Sequence, residues 1–185
     1  MEKIELLAQL IREAAKRAGK SELKLQGEVD GHLRDILGKF GIDYNPQVNE
    51  SLRRSSASSG RPDSLFGHVV MDYKAPGLLR EAGKLREAKK KVADDYLKPI
   101  CIDKGVFNPD DATKWIGVLI DGRDITFANF NGISEWVWTP VRPINKYTVA
   151  TLIQYYRALY RKPLDPHLLS SDFGRDTDVA KGCIR

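Results

Sequence analysis

Residues 60–76 of the chain read Gly-Arg-Pro-Asp-Ser-Leu-Phe-Gly-His-Val-Val-Met-Asp-Tyr-Lys-Ala-Pro. A turn around Asp63 is followed by a short apolar strand that ends in Asp72-Tyr73-Lys74. Because side chains alternate between the two faces of a strand, we expect Asp72 and Lys74 on one face and Tyr73 on the other. Asp63 reaches the same place if its segment pairs with this strand. Two carboxylates can hold a hard cation such as Mg²⁺, and a neighbouring lysine can orient a water molecule.

The same residues also have ordinary structural interpretations. Pro62-Asp63 is a common turn pair, because proline presets φ and aspartate hydrogen-bonds to its own backbone. Asp72 and Lys74 are equally compatible with a solvated strand end. The order of the surrounding elements therefore has to distinguish a catalytic site from a simple turn and strand.

Composition places the chain among soluble proteins. It has 185 residues, a net charge of +5 and 42% hydrophobic residues, which fits one domain and permits a polyanionic partner. Its two cysteines, Cys101 and Cys183, lack the spacing of a metal site. Neither a membrane-spanning run nor a signal-peptide pattern is recognisable. These features predict a cytoplasmic protein with no membrane partner.

Two helices are predicted before residue 60. The first covers residues 2–18, and the second covers residues 21–40 with Ser21 as its N-cap. Glu28 lies at the edge of the apolar stripe of the second helix and is expected to point toward Asp63 and Asp72. An ordinary surface position for Glu28 is the alternative, and Asp30 and Asp35 are the competing acids.

A first strand is predicted over residues 46–54, followed by a serine-rich loop over residues 55–60. Glu50 in this strand is either a fourth acid near the site or a surface residue. The loop is either a tether or a contact to the phosphates of a nucleic acid, since serines and arginines both bind phosphates. The candidate contacts are Arg53, Arg54, Ser58 and Arg61.

Strands are predicted over residues 63–66 and 68–74, a helix over 78–97 and a buried strand over 114–121, with an irregular connection over 98–113. Hairpin turns at Asp121-Gly122 and Asn131-Gly132 lead to strands over 124–130 and 133–139 and a last helix over 147–161. The charged face of the 78–97 helix includes Lys84 and Lys89, which are candidate DNA contacts or merely solvated. Trp136 and Trp138 are more typical of helix packing than of base stacking.

The order helix, strand, strand, strand, helix, strand, with Glu28, Asp63, Asp72 and Lys74 at matching positions, resembles the PD-(D/E)xK nuclease superfamily. The resemblance covers residues 22–121. More narrowly, Gly60-Arg61-Pro62-Asp63 before Asp72-Tyr73-Lys74-Ala75-Pro76 looks like the nuclease domains of type I and type IIG restriction–modification enzymes, which are fused to adenine-specific DNA methyltransferases. Asp72 departs from the more common glutamate, and no methyltransferase motif follows.

The resemblance implies an α/β restriction-endonuclease-like αβββαβ core with a mixed sheet, an antiparallel extension and flanking helices. The nuclease-like domain is expected over residues 1–162, and the polar, broken composition after it predicts a linker toward a further domain, or the boundary of an expressed fragment, over 163–185. The implied partners are double-stranded DNA and the methyltransferase and target-recognition domains of a restriction–modification enzyme.

The implied activity is Mg²⁺-dependent hydrolysis of DNA phosphodiesters, with Mn²⁺ as a substitute. Asp63, Asp72 and the Tyr73 carbonyl would hold the metal, Lys74 would position the attacking water, and Glu28 would support a second metal or a water. The alternatives are a non-catalytic DNA-binding or scaffold domain with the nuclease fold, and a repair or junction-resolving nuclease.

Overall fold

The computed structural model describes residues 2–47, 62–103 and 105–159. The elements in chain order are α1 (Glu2–Ala18), α2 (Glu22–Gly38), β1 (Ser64–Phe66), β2 (Val69–Tyr73), a 3₁₀ turn (Leu78–Arg80), α3 (Ala82–Lys91), a π-helical segment (Val92–Leu97), α4 (Lys98–Ile100), β3 (Ile102–Asp103), β4 (Val106–Phe107), α5 (Pro109–Ala112), β5 (Ile116–Ile120), β6 (Asp124–Phe130), β7 (Trp136–Trp138), β8 (Arg142–Pro143) and α6 (Lys146–Leu159). No helix in this part of the chain is both long and apolar enough to cross a membrane.

The main sheet is mixed and has the order β1-β2-β5-β6-β7, with β8 also pairing with β6. Among the strands that the structure describes in this sheet, only β2 and β5 run parallel, and the remaining pairs are antiparallel. Parallel neighbours require a crossover connection, which α3 and the π-helical segment supply. The chain therefore has an α/β fold with a mixed sheet and an antiparallel extension, as the sequence predicts.

Helices cover both faces of the sheet. On one face, α1, α2 and α6 bury an apolar cluster that includes Val69, Met71 and Tyr73 of β2. On the other face, α3 and the π-helical segment pack over Val70. Each large aliphatic side chain buried in these clusters contributes about 1.5–3 kcal/mol. The alternation predicted for β2 is thus confirmed, and Asp72 lies on the face covered by α3.

The N-terminal helices follow their sequence signals closely. The Ser21 hydroxyl accepts a hydrogen bond from the Lys24 amide at 3.2 Å and caps α2. Small residues on α1 let the β5–β6 turn approach, since a Cβ added at Gly122 would lie only 2.6 Å from the Ala15 Cβ. Gly122 also has a φ of 77°, which favours glycine.

The prediction of one helix over residues 78–97 is wrong in detail. A 3₁₀ turn precedes α3, and residues 92–97 are π-helical. Apolar periodicity misses this because the stripe continues through the π segment. The prediction of an irregular 98–113 connection is also wrong, since it contains α4, the β3–β4 hairpin and α5.

Two of the predicted strands differ in extent from the strands of the structure or lie largely beyond its described residues. The strand expected over 133–139 is limited to β7, because the Asn131 side chain accepts the amide hydrogens of residues 133, 134 and 135. The strand expected over 46–54 lies almost wholly outside the described residues. Gln47, at its start, forms an isolated antiparallel bridge with Leu65.

Candidate active site at the end of strand β2

The antiparallel pairing of β1 with β2 brings Asp63, Asp72 and Lys74 together. Ser64 pairs with Met71 in this ladder, so the next position along places Asp63 opposite Asp72. The Tyr73 amide donates a hydrogen bond to Asp63 Oδ2 at 2.7 Å. Lys74 Nζ contacts Asp72 Oδ2. The acid pair and the amine expected from the sequence therefore form one cluster.

The Asp72 carboxylate is fully buried and is surrounded by cations. Its Oδ1 atom lies 3.4 Å from Lys91 Nζ and 3.4 Å from the Tyr96 hydroxyl, which donates to it. Its Oδ2 atom contacts the Lys74 ammonium but makes no hydrogen bond of regular geometry within the described residues. A buried carboxylate is stable only when it is paired, and Lys74 and Lys91 supply that pairing.

The π-helical segment brings Lys91 and Tyr96 to the same carboxylate. In an α-helix, residues five apart point in directions about 140° apart. The wider π turn aligns them, and Lys91 Nζ lies 5.2 Å from the centre of the Tyr96 ring. Burial, reinforced by the charge of Asp72, raises the pKa of Tyr96 well above its usual value, so its hydroxyl stays protonated and donates.

The surroundings of the Asp63 side chain disfavour its ionised form. Burial raises its pKa to about 6, and the charge of Asp72 adds to this effect. The Tyr73 amide, Lys74 and Lys91 act in the opposite direction. The Asp63 carbonyl is also held, because Gln26 Nε2 donates to it at 2.6 Å. A carboxyl whose ionisation is opposed by burial and by a neighbouring carboxylate is typical of a site that attracts a cation.

A buried polar network supports the cluster from the opposite face of the sheet. Asp30 on α2 accepts hydrogen bonds from the hydroxyls of Tyr73 at 2.8 Å and Tyr44 at 2.9 Å. The Tyr44 hydroxyl also lies 3.1 Å from Ser64 Oγ. Burial raises the pKa of Asp30 although these hydrogen bonds oppose the rise. Asp30 therefore ties α2 to β1 and β2 and does not itself reach Asp72.

Glu28 does not lie where the sequence analysis expects it. Its Oε2 atom is 2.6 Å from Arg17 Nη2 and accepts a hydrogen bond from Arg17 Nε at 2.8 Å. Glu28 thus joins α2 to α1. Because helix residues advance by about 100° each, Glu28 points about 160° away from Gln26, which reaches Asp63. Asp35, the other competitor, is exposed.

The acid of α2 that does lie beside the end of β2 is Glu22. Its Oε1 atom accepts a hydrogen bond from the Ala75 amide at 3.0 Å, one residue beyond Lys74. Glu22 is one turn before Gln26, on the same side of α2. The apolar stripe used to select Glu28 starts at Val29 and gives no signal for this position.

The predicted DNA contacts divide into two groups. Arg53, Arg54, Ser58 and Arg61, and also Glu50, lie outside the described residues. On α3, Lys84 Nζ pairs with Glu81 Oε2 at 2.9 Å. Lys89 Nζ lies 5.5 Å from the centre of the Trp138 ring, and burial lowers its pKa. Trp136 and Trp138 pack against the apolar cluster under α3, as the helix-packing prediction requires.

The donors at the end of β2 suit a small oxygen-ligated cation. No group of three or more His, Cys, Asp or Glu side chains within the described ranges is arranged to hold a metal, so a backbone oxygen has to contribute.

The direction of the Tyr73 carbonyl follows from the hydrogen bonds of the strand. The Lys74 N–H points to β5, where it donates to the Ile120 carbonyl, whereas the Tyr73 N–H points to Asp63. The N–H and C=O of a strand residue share a side, so the Tyr73 carbonyl faces the Asp63 edge. The Asp63 carboxylate, the Tyr73 carbonyl and Asp72 Oδ2, which contacts the Lys74 ammonium, are oxygen donors of the kind that Mg²⁺ prefers.

Comparisons of the chain with family models, with curated proteins and with solved structures found no match in any of the three. The arrangement of Asp63, Asp72 and Lys74 is accordingly the basis for a functional proposal.

Proposed function

We propose that the protein is a metal-dependent endonuclease that hydrolyses DNA phosphodiester bonds. The observation that carries this proposal is the convergence of Asp63, Asp72 and Lys74 at the joined ends of β1 and β2. Two carboxylates beside a lysine that is only 11% exposed are an unusual arrangement for a purely structural strand end. The pKa of Asp63, raised to about 6, agrees with a site that is incomplete without a cation.

The order of elements also supports the proposal. The elements α2, β1, β2, α3 and β5 occur in the chain order of an αβββαβ core apart from its first strand, with the π-helical segment, α4, the β3–β4 hairpin and α5 inserted between α3 and β5. The parallel pairing of β2 with β5 after a helical crossover agrees with that core. The remaining expected strand would begin near Gln47, which bridges to Leu65 of β1.

The roles of the residues follow from their positions. Asp63, Asp72 and the Tyr73 carbonyl would hold Mg²⁺, which supplies Lewis-acid stabilisation of the scissile phosphate. Lys74 donates hydrogen bonds to the attacking water and to the phosphate oxygens, where negative charge builds up in the transition state. Glu22, whose Oε1 atom accepts the Ala75 amide hydrogen at the end of β2, would take the role expected of Glu28 and would hold a water or a second cation.

The biological setting is part of the same proposal. A role as the cleavage domain of a restriction–modification enzyme, with methyltransferase and target-recognition domains as partners, rests on the resemblance of residues 60–76 to such domains. The net charge of +5 agrees with a DNA substrate.

A non-catalytic DNA-binding domain is the second candidate. It is favoured by one observation, the pairing of Asp72 with both Lys74 and Lys91. A carboxylate neutralised in this way is stable without a metal, so the cluster would serve only to join β2 to α3.

Cleavage of supercoiled plasmid in Mg²⁺ or Mn²⁺ separates the two candidates. Wild-type protein should nick the plasmid, and Lys74→Gln should lower the rate by about 10²-fold or more. Lys90→Gln, which changes an exposed lysine of α3, is the matched control and should cleave normally. Equal cleavage by wild type and Lys74→Gln would overturn the assignment of Lys74. Absence of cleavage by all three, together with Mn²⁺ binding that survives Asp63→Asn and Asp72→Asn, would favour the DNA-binding domain.

A further inference from the structure

Asp72 has two lysine partners of different character. Lys74 follows it on the same strand and its side chain is 11% exposed. Lys91 reaches it from the end of α3, and its side chain is 46% exposed. Lys91 Nζ lies 3.4 Å from Asp72 Oδ1, and more than two-fifths of its side chain is already open to solvent. Lys91 is therefore the partner that can leave at little desolvation cost.

We propose that Lys91 is a displaceable counter-ion, which neutralises Asp72 while no divalent cation is bound and contacts a DNA phosphate once a cation has taken its place. This inference rests on the proposed nuclease function. It gives Lys91 a role in that site, in which its ammonium group exchanges the Asp72 carboxylate for a second anion. The partner it gains is the phosphate backbone of the substrate.

The charges of the cluster support this exchange. Asp63, Asp72, Lys74 and Lys91 carry no net formal charge when all four are ionised, although burial still disfavours the ionised form of Asp63. A divalent cation at the two carboxylates adds two positive charges, and the repulsion between Lys91 and that cation then favours an outward position for the ammonium. A DNA phosphate near the site is the anion that compensates for this excess of positive charge.

The π-helical segment makes the exchange possible without loss of structure. Tyr96 donates to the same Asp72 oxygen that Lys91 approaches, and its side chain is almost completely buried. When Lys91 leaves, Tyr96 still satisfies Oδ1, so the carboxylate keeps its orientation. The insertion that creates the π turn therefore serves to place one fixed and one releasable donor on one oxygen.

Two measurements test the counter-ion role directly. Calorimetric titration with Mn²⁺ should show binding about tenfold tighter for Lys91→Gln than for wild type, because a competing positive charge has been removed. Lys91→Arg keeps the positive charge and pairs with a carboxylate at least as well as lysine, so it should not tighten Mn²⁺ binding. Lys90→Gln is the control for the loss of a lysine on the same helix and should leave Mn²⁺ affinity unchanged.

DNA affinity, measured by fluorescence anisotropy with and without Ca²⁺ across a salt series, tests the second partner. With Ca²⁺, Lys91→Gln should weaken binding and lower the slope of log affinity against log salt by about 1. Without a divalent cation, the same change should have little effect, because Lys91 is then held by Asp72. Any effect of Lys90→Gln should be the same in both conditions.

The possible failures are distinguishable. Unchanged Mn²⁺ affinity in Lys91→Gln, or an equal loss of DNA affinity with and without Ca²⁺, overturns the counter-ion role and leaves the nuclease proposal standing if wild type cleaves DNA. If wild type shows no Mn²⁺ binding that depends on Asp63 and Asp72, both proposals fall together.

Discussion

Replacement of Asp121 should destabilise the structure strongly even when the chemical change is small. Its side chain is completely buried at the end of β5. Its Oδ2 atom accepts the amide hydrogens of Gly77 at 2.9 Å and Leu79 at 3.1 Å. Its Oδ1 atom accepts those of Arg123 at 2.9 Å and Asp124 at 2.7 Å. One carboxylate thus joins the loop after Lys74 to the β5–β6 turn.

The substitution Asp121→Asn keeps the size of the side chain and replaces one oxygen by an NH₂ group. Whichever way the amide is oriented, two of the four backbone N–H groups lose their acceptor and face a donor. Hydrogen bonds to a charged acceptor contribute about 1.5–3 kcal/mol each, so two lost bonds cost about 3–6 kcal/mol. That is a large part of the stability of a typical domain, about 5–15 kcal/mol.

Urea unfolding followed by circular dichroism measures this loss. Asp35→Asn, which makes the same chemical change at an exposed position of α2, is the matched control and should stay within about 0.5 kcal/mol of wild type. A loss below about 1 kcal/mol in Asp121→Asn would refute the reasoning, because it would mean that the four amides do not depend on the carboxylate.

Three further substitutions test other parts of the structure. The pKa of Asp63 is raised to about 6 from an unfolded value of about 3.9, so its protonated form stabilises the fold at low pH, and this contribution should fall by about 1–2 kcal/mol between pH 4 and pH 7 after allowance for partial exposure. Urea midpoints of Asp63→Asn measured across this pH range should lack that fall, and parallel pH profiles of the variant and wild type would contradict the prediction. Tyr73→Phe removes a buried donor to Asp30 and should lower the free energy of unfolding by about 1–3 kcal/mol; an unchanged urea midpoint would speak against that network. Gly117→Ala puts a Cβ 2.8 Å from a side chain of the π-helical segment and should cost about 1–3 kcal/mol by thermal unfolding, whereas Gly83→Ala, which has open space on α3, should be neutral or stabilising; equal effects would show that the close packing is not rigid.

Local patterns in the sequence predict most of the architecture. The period-two pattern of β2 places Val69, Met71 and Tyr73 on one face, because strand geometry leaves no other arrangement. The helical stripe of residues 2–18 and the continuous apolar run that contains β5 are equally direct signals. Asp63, Asp72 and Lys74 could be grouped because a short β1–β2 hairpin with Gly67 at its turn permits one register.

Contacts that depend on irregular helix geometry or on tertiary packing leave no such pattern in the sequence. Lys91 and Tyr96 are five residues apart, a spacing that brings side chains together only in a π turn, and no apolar pattern marks such an insertion. Asp121 resembles an ordinary hairpin residue until its bonds to Gly77 and Leu79 are seen. The apolar stripe of α2 favours Glu28 as a site residue, whereas the position of the Glu28 side chain is fixed by Arg17 on another helix.

The position of a bound metal tests the central claim most directly. The measurement is anomalous X-ray diffraction from crystals of the wild-type protein grown with Mn²⁺. The account predicts a peak between Asp63 and Asp72, within coordination distance of both carboxylates and the Tyr73 carbonyl, with Lys91 moved away from Asp72. Crystals that contain Mn²⁺ at another site, or at none, with Asp72 still held by both lysines, would contradict it.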